Sequence, residues 1–199
     1  MEDAFDFSPV VPEYCRKPIL VLGCGNILFG DDGFGPAVAE YLLAHCVLRD
    51  TMCILDVGTG VRNVLFTICL SGIRPSTIII VDAVDVGAEA GRLFELPIED
   101  VPLQKQDDFS FHCSPTSNLA KELLNAGIDV RVFVCQTALL PESVRPGLSE
   151  PVRLAVPIMS RGIQQYCLQP AKGIPLRSTE SSPNVRAASG IQGASLLPT

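Results

Sequence analysis

Residues 18–41 read PILVLGCGNILFGDDGFGPAVAEY, and this stretch decides the fold. The continuous apolar run over residues 19–22 is typical of a strand that is buried on both faces. Glycines then interrupt the pattern and permit a sharp turn. Pro36 suits the first turn of a helix that follows. Apolar residues recur along that helix at helical spacing: Phe34, Val38, Tyr41 and Leu42.

Two neighbouring acids, Asp31 and Asp32, lie in the loop between this strand and this helix. The loop follows the carboxyl end of the strand, which is where ligands bind in open α/β sheets. Carboxylates at this point favour either a bound cation or an N-cap of the helix. The residues by themselves leave both alternatives open.

A glycine-rich loop after a strand also suggests a nucleotide- or small-ligand-binding module without protease activity. Two details argue against this alternative. The third glycine of a dinucleotide-binding loop would stand at position 28, which is Leu28. Moreover, Asp31 and Asp32 would repel the phosphate that such a helix start attracts.

The rest of the chain alternates between apolar runs and helical patterns. Strands are predicted over residues 52–56, 77–81, 92–96 and 130–134, and helices over residues 61–70, 119–124 and 151–168. This alternation predicts an α/β fold with three layers, in which a mostly parallel twisted sheet of about five strands carries helices on both faces. We expect a single domain over residues 18–169, an irregular lead-in over 1–17 and a flexible tail over 170–199.

Charge and cysteine usage narrow the class of protein. The net charge of −7, without a Lys/Arg-rich run, argues against nucleic acid and against an anionic membrane surface as partners. No apolar run reaches transmembrane length, and residues 1–18 lack a signal core, so a cytoplasmic location is predicted. The eight cysteines contain no C-x-x-C pair and are predicted to be free, as in a reducing compartment.

A third acid, Asp82, follows directly after the predicted strand over residues 77–81. A buried charge without a partner is costly, so Asp82 should emerge at the strand end or meet a cation or a donor there. In a flavodoxin-like strand order the first and third strands are neighbours, which would bring Asp82 beside Asp31 and Asp32. Asp56 precedes a glycine-rich turn, where loop hydrogen bonding is the favoured role.

The chain has two histidines. His45 stands near the end of the first long helix and is interpreted as a structural or helix-end residue. His112 lies in a predicted loop ahead of a helix, and a lone loop histidine is a weak signal by itself.

The two glycine clusters, GCGNIL at 23–28 and GDDGFG at 30–35, resemble the opening signature of the hydrogenase maturation endopeptidases. These enzymes trim the C-terminal tail of a nickel-iron hydrogenase large subunit. Asp56 with Gly58, Thr59 and Gly60 is similar to the second motif of the family, and the resemblance covers roughly residues 18–168. Around His112 the chain is most similar to the branch that serves deazaflavin (coenzyme F420)-reducing hydrogenases.

The resemblance implies a set of site residues and a substrate. Asp32, Asp82 and His112 are the counterparts of the metal-binding residues of the family, and Asp32 and Asp82 are also the candidate catalytic residues. It implies a hydrogenase large-subunit precursor as partner and nickel as the metal, supplied by that precursor, while other divalent metals can occupy an isolated site of this type. Position 32 is often Glu in the family, and the segment after His112 looks longer than in most members.

Motifs of other protease and hydrolase classes are missing from the chain. There is neither an H-E-x-x-H motif nor a G-x-S-x-G elbow, so zincin and serine-hydrolase mechanisms are not supported. A carboxylate that acts as general base and a metal-polarised water are both compatible with the residues.

Overall fold

Strands and helices alternate along the computed structural model, which describes residues 11–98, 114–138 and 140–168. The strands are β1 (Ile19–Cys24), β2 (Met52–Gly58), β3 (Thr77–Val84), β4 (Leu93–Glu95) and β5 (Asp129–Gln136). The helices are α1 (Glu13–Arg16), α2 (Phe34–His45), α3 (Val61–Leu70), α4 (Ser114–Asn125) and α5 (Glu150–Leu168). A 3-10 turn, Gly30–Gly33, precedes α2.

The five strands form one sheet in the order β2-β1-β3-β5-β4. All neighbouring pairs are parallel except β4 with β5. The pairing of β1 with β3 ends at Gly23 and Val81, whereas the pairing of β3 with β5 continues to Val84 and Gln136. Beyond Gly23 the first and third strands are therefore no longer paired at the carboxyl edge of the sheet, which is where ligands bind in sheets of this type.

Helices cover both faces of this sheet, which confirms the predicted three-layer α/β fold. One face packs against α1, α3 and α4, and the other packs against α2 and α5. Successive residues of β1 serve the two layers in turn, since Leu20 and Leu22 belong to the first cluster and Val21 to the second. This alternation explains why β1 reads as an unbroken apolar run.

Three segments differ from the sequence prediction. Strand β3 extends to Val84, so Asp82 lies inside the strand instead of emerging at its end, because the pairing with β5 continues past it. Helix α4 begins at Ser114 rather than near residue 119, since Pro115 is compatible with a first helical turn. Part of the lead-in that was expected to be irregular forms α1, whose Cys15 is fully buried.

Three further predictions concern the cysteines, membrane-spanning helices and the division into domains. The seven cysteines in the described part of the chain are all free, as predicted: Cys15, Cys24, Cys46, Cys53, Cys69, Cys135 and Cys167. None of the described helices is both long and apolar enough to span a bilayer. The tail over residues 170–199 lies outside the described residues, and the division into domains stays a prediction.

Candidate functional site

Two glycines allow the 3-10 turn to pack directly on the end of β1. Gly25 has a φ of 126°, and a Cβ at this position would lie 1.8 Å from the backbone oxygen of Asp32. A Cβ at Gly35 would lie 2.2 Å from the carbonyl oxygen of Cys24. Because neither position leaves room for a side chain, the turn comes close enough to place its acids at the carboxyl edge of the sheet.

Asp31 is a hydrogen-bond acceptor that joins three segments of the chain. Its Oδ1 accepts the backbone N–H of Ser149 (2.6 Å), and its Oδ2 accepts the backbone N–H of Ala138 (2.8 Å) and the hydroxyl of Ser149 (2.9 Å). The buried carboxylate thus ties the 3-10 turn to the exit of β5 and to the residue that precedes α5. These contacts give Asp31 a structural role.

Asp32 is turned towards the loop that follows β1. The side chain is 3% exposed, and its Oδ2 accepts the backbone N–H of Asn26 at 2.7 Å. The N-cap position of α2 is Gly33, and no side-chain cap hydrogen bond is made there. The contact to Asn26 therefore differs from the helix cap that the sequence left open as an alternative.

Asp82 lies near the carboxyl end of β3. It is 2% exposed, and its Oδ1 accepts the backbone N–H of Ala83 at 2.8 Å. Its register partner on β5 is Val134, and it stands one residue beyond the last pair that joins β3 to β1. Asp82 thus lies where the pairing of the first and third strands has ended.

Cys24, at the end of β1, is a buried thiol that has acids on the neighbouring segments. Burial, together with the negative charges of Asp82, Asp56 and Asp32, raises the pKa of the Cys24 thiol well above its ordinary value. Geometry places both predicted acids beside the end of β1: Asp82 follows Val81, whose register partner is Gly23, and a Cβ at Gly25 would lie 3.7 Å from Cγ of Asp32. The raised pKa also means that Cys24 is a neutral thiol at physiological pH.

The third predicted metal ligand, His112, lies outside the described residues. Within the ranges 11–98, 114–138 and 140–168, no cluster of three His, Cys, Asp or Glu side chains is arranged to hold a metal ion. The set of Asp32, Asp82 and His112 therefore stays a prediction.

Two other interpretations of single residues are confirmed by their contacts. His45 is exposed at the end of α2, and its ring lies 4.6 Å from that of Tyr41, measured between centroids. The Oδ1 of Asp56 accepts the backbone N–H of Gly58 at 2.9 Å, which is the loop hydrogen bond that the sequence favoured.

Gln136, at the end of β5, is a residue whose role sequence reasoning missed. Its Nε2 donates to Oδ1 of Asp85 (2.9 Å), and its Oε1 accepts the backbone N–H groups of Val86 (2.9 Å) and Ala88 (3.2 Å). The buried amide therefore holds the loop that follows β3 against β5. A polar residue that directly follows an apolar strand was the available signal.

Replacing Asp31 by Ala is expected to lower the free energy of unfolding by about 2–3 kcal/mol, because three donors lose a charged acceptor. Asp85→Ala is the matched control. The exposed carboxylate of Asp85 accepts from Gly87 and Gln136, but water can replace it, so a loss of about 1 kcal/mol or less is expected. Urea denaturation measures both values, and equal losses would contradict the structural role of Asp31.

Comparison with known proteins assigns the family. The HycI hydrogenase maturation protease model matches residues 36–165. A candidate hydrogenase maturation protease of Methanocaldococcus jannaschii is 38% identical over 143 residues, which cover 71% of this chain and 90% of that protein. The coenzyme F420 hydrogenase subunit delta of Methanothermobacter thermautotrophicus is 36% identical over 143 residues, which cover 70% of this chain and 87% of that protein.

A solved structure agrees with this assignment. The crystal structure of the [NiFe] hydrogenase maturation protease HycI from Thermococcus kodakarensis KOD1 superimposes with a TM-score of 0.59 at 25% identity. The superposition covers 75% of this chain and 91% of that one. On the evidence of sequence and fold together, this chain belongs to the hydrogenase maturation proteases, a family of endopeptidases.

Proposed function

We propose that this protein removes the C-terminal extension of a nickel-loaded hydrogenase large-subunit precursor during maturation. The observation that carries the proposal is the pair of buried acids, Asp32 and Asp82, at the carboxyl edge of the sheet in a member of this family. Membership of the family favours the peptidase over a nucleotide-binding module. The likeness to the coenzyme F420 hydrogenase subunit delta supports a deazaflavin-reducing hydrogenase as the source of the precursor.

Nickel enters this proposal as cargo of the substrate, already held by the precursor. Asp32, Asp82 and His112 are the residues proposed to contact it, and other divalent metals can occupy the isolated site. Two carboxylates and an imidazole are suitable ligands for nickel or zinc and leave coordination positions for ligands from the precursor. Burial of two negative charges close together also favours a cation between them.

The described residues have separate tasks in this proposal. Asp32 and Asp82 are the proposed catalytic residues, since both lie at the carboxyl edge of the sheet, where ligands bind in this type of fold. Asp31 and Gln136 position the surrounding loops through the hydrogen bonds described above. The proposed site thus combines two candidate catalytic acids with loops that are held by hydrogen bonds.

Incubation with a purified, nickel-loaded precursor tests the proposal directly. Intact-mass spectrometry should show that the precursor loses its C-terminal extension, and the same precursor without nickel should stay uncleaved. A loaded precursor that remains full length, while another member of the family cuts it, would refute the proposed activity. Micromolar binding of a dinucleotide that survives Asp32→Asn would instead favour the ligand-binding module.

A further inference from the structure

Three large apolar side chains are exposed at the carboxyl edge of the sheet. Ile27 and Leu28, in the loop after β1, are 60% and 45% exposed, and Val144, in the loop after β5, is 64% exposed. Single exposed apolar residues are common on protein surfaces, but a group of them beside a functional site points to a partner. We call these three residues the apolar ledge.

The apolar ledge is held in place by backbone hydrogen bonds between its two loops. Phe29 and Arg145 form a parallel β-bridge. The N–H of Arg145 donates to the carbonyl oxygen of Leu28 (2.8 Å), and the N–H of Gly30 donates to the carbonyl oxygen of Arg145 (2.9 Å). These backbone groups pair with each other, so a partner would contact the ledge through its side chains.

The same loop links the ledge to the proposed catalytic residue Asp32. The N–H of Asn26 donates to Oδ2 of Asp32 (2.7 Å), and the side-chain oxygen of Asn26 accepts the N–H of Leu28 (3.0 Å). On the other side of this loop, the Cα of Ile27 packs against Gly33, within 3.2 Å of where a Cβ would stand. The ledge is therefore continuous with the wall of the site.

The charge around the site indicates the kind of segment that would bind. Asp32 and Asp82 are buried at this edge, Asp56 and Asp85 are exposed nearby, and the chain has a net charge of −7. The exposed Arg145 beside Val144 adds one positive charge, which these four acids outnumber, so an acidic segment is disfavoured here. An apolar segment gains from burial against Ile27, Leu28 and Val144 without that repulsion.

We propose that the apolar ledge binds the segment of the precursor that carries the scissile bond, through apolar side chains of that segment. This inference rests on the proposed function, because the occupant is the substrate of that reaction. Binding on the ledge holds the segment beside Asp32. The ledge thereby lowers the KM for the precursor, while the chemical step is left to the acids.

The triple variant Ile27→Ser, Leu28→Ser, Val144→Ser tests the ledge in the full-length protein. The KM for the nickel-loaded precursor should rise about tenfold or more with little change in kcat, as for the loss of a binding hot spot. The matched control replaces three exposed apolar residues in and after α3: Phe66→Ser, Leu70→Ser and Ile73→Ser. The control should keep the KM of the wild type, and both variants should keep its melting temperature.

The outcomes separate this inference from the proposed function. If the wild type cleaves the precursor and both triple variants have the same KM as the wild type, then binding of the precursor on the ledge is refuted. The proposed endopeptidase activity is unaffected by that result. If the wild type leaves the loaded precursor intact, both proposals fail.

Photo-crosslinking identifies the occupant independently of rate measurements. A benzophenone amino acid at position 28 should crosslink to the precursor, and mass spectrometry should locate the linkage within the segment around the cleaved bond. The same amino acid at position 70, at the far end of α3, should give no such linkage. Crosslinks from position 28 to any other part of the precursor would overturn the assignment.

Discussion

Asp32→Asn and Asp82→Asn should each reduce processing of the precursor by about a hundredfold or more, while the metal-free protein stays as stable as the wild type or becomes slightly more stable. We expect activity to fall because each change removes a proposed metal ligand and a candidate catalytic carboxylate. Stability is kept because the buried acids repel each other when no cation lies between them. At position 32, an amide oxygen can still accept the N–H of Asn26. His112→Ala should show the same loss of activity, since it removes the third proposed ligand.

Melting curves with and without nickel, recorded beside the processing rate, measure both effects. If the three residues form the proposed metal site, nickel should raise the melting temperature of the wild type, because a ligand that binds only the folded state stabilises it, and this shift should be lost in all three variants. Asp50→Asn, an equal change of charge at an exposed residue before β2, is the control and should behave as the wild type. If nickel raises the melting temperature of the three variants as much as that of the wild type, the proposed metal site is refuted. Destabilisation of Asp82→Asn without a metal-linked defect would make Asp82 structural.

Gly25→Ala should destabilise the protein by about 4 kcal/mol or more, or prevent folding, because the added Cβ would meet backbone and the φ of 126° is unfavourable for alanine. The contact is with the backbone oxygen of Asp32, which the 3-10 turn holds in place and which has no rotamer to move into. Because that turn also positions Asp32, any folded fraction should process the precursor poorly.

Gly87→Ala is the matched control for this change. Gly87 also has a positive φ, of 73°, but no atom lies within 4 Å of its Cβ position, so a loss of about 1–2 kcal/mol is expected. Urea denaturation of both variants provides the comparison. A difference of less than about 1 kcal/mol between them would show that the turn moves aside and that close packing at Gly25 is dispensable.

The local pattern of apolar residues and turn residues was sufficient to predict most of the helices and strands. Helix α3 has the predicted bounds, Val61–Leu70, because a turn precedes it and Ser71 and Gly72 follow it. The apolar runs of β1, β3 and β5 predicted central strands, since a strand covered on both faces has no polar side. The predicted start of α4 and the predicted end of β3 were wrong. The reason is that a helix start and a strand end depend on what the neighbouring segment contacts.

The sequence by itself determined the α/β class and the neighbouring positions of β1 and β3, and it named Asp32, Asp82 and His112 as candidate site residues. The residue types alone could not distinguish Asp31 from Asp32, which are adjacent and chemically identical, and it was the family resemblance that selected Asp32. Only the tertiary structure showed that Asp31 accepts from Ala138 and Ser149, which lie 107 and 118 positions away, and that Asp32 accepts from Asn26 in the loop after β1. The physical reason is that a carboxylate takes its role from the donors that surround it, and folding brings those donors from distant parts of the chain.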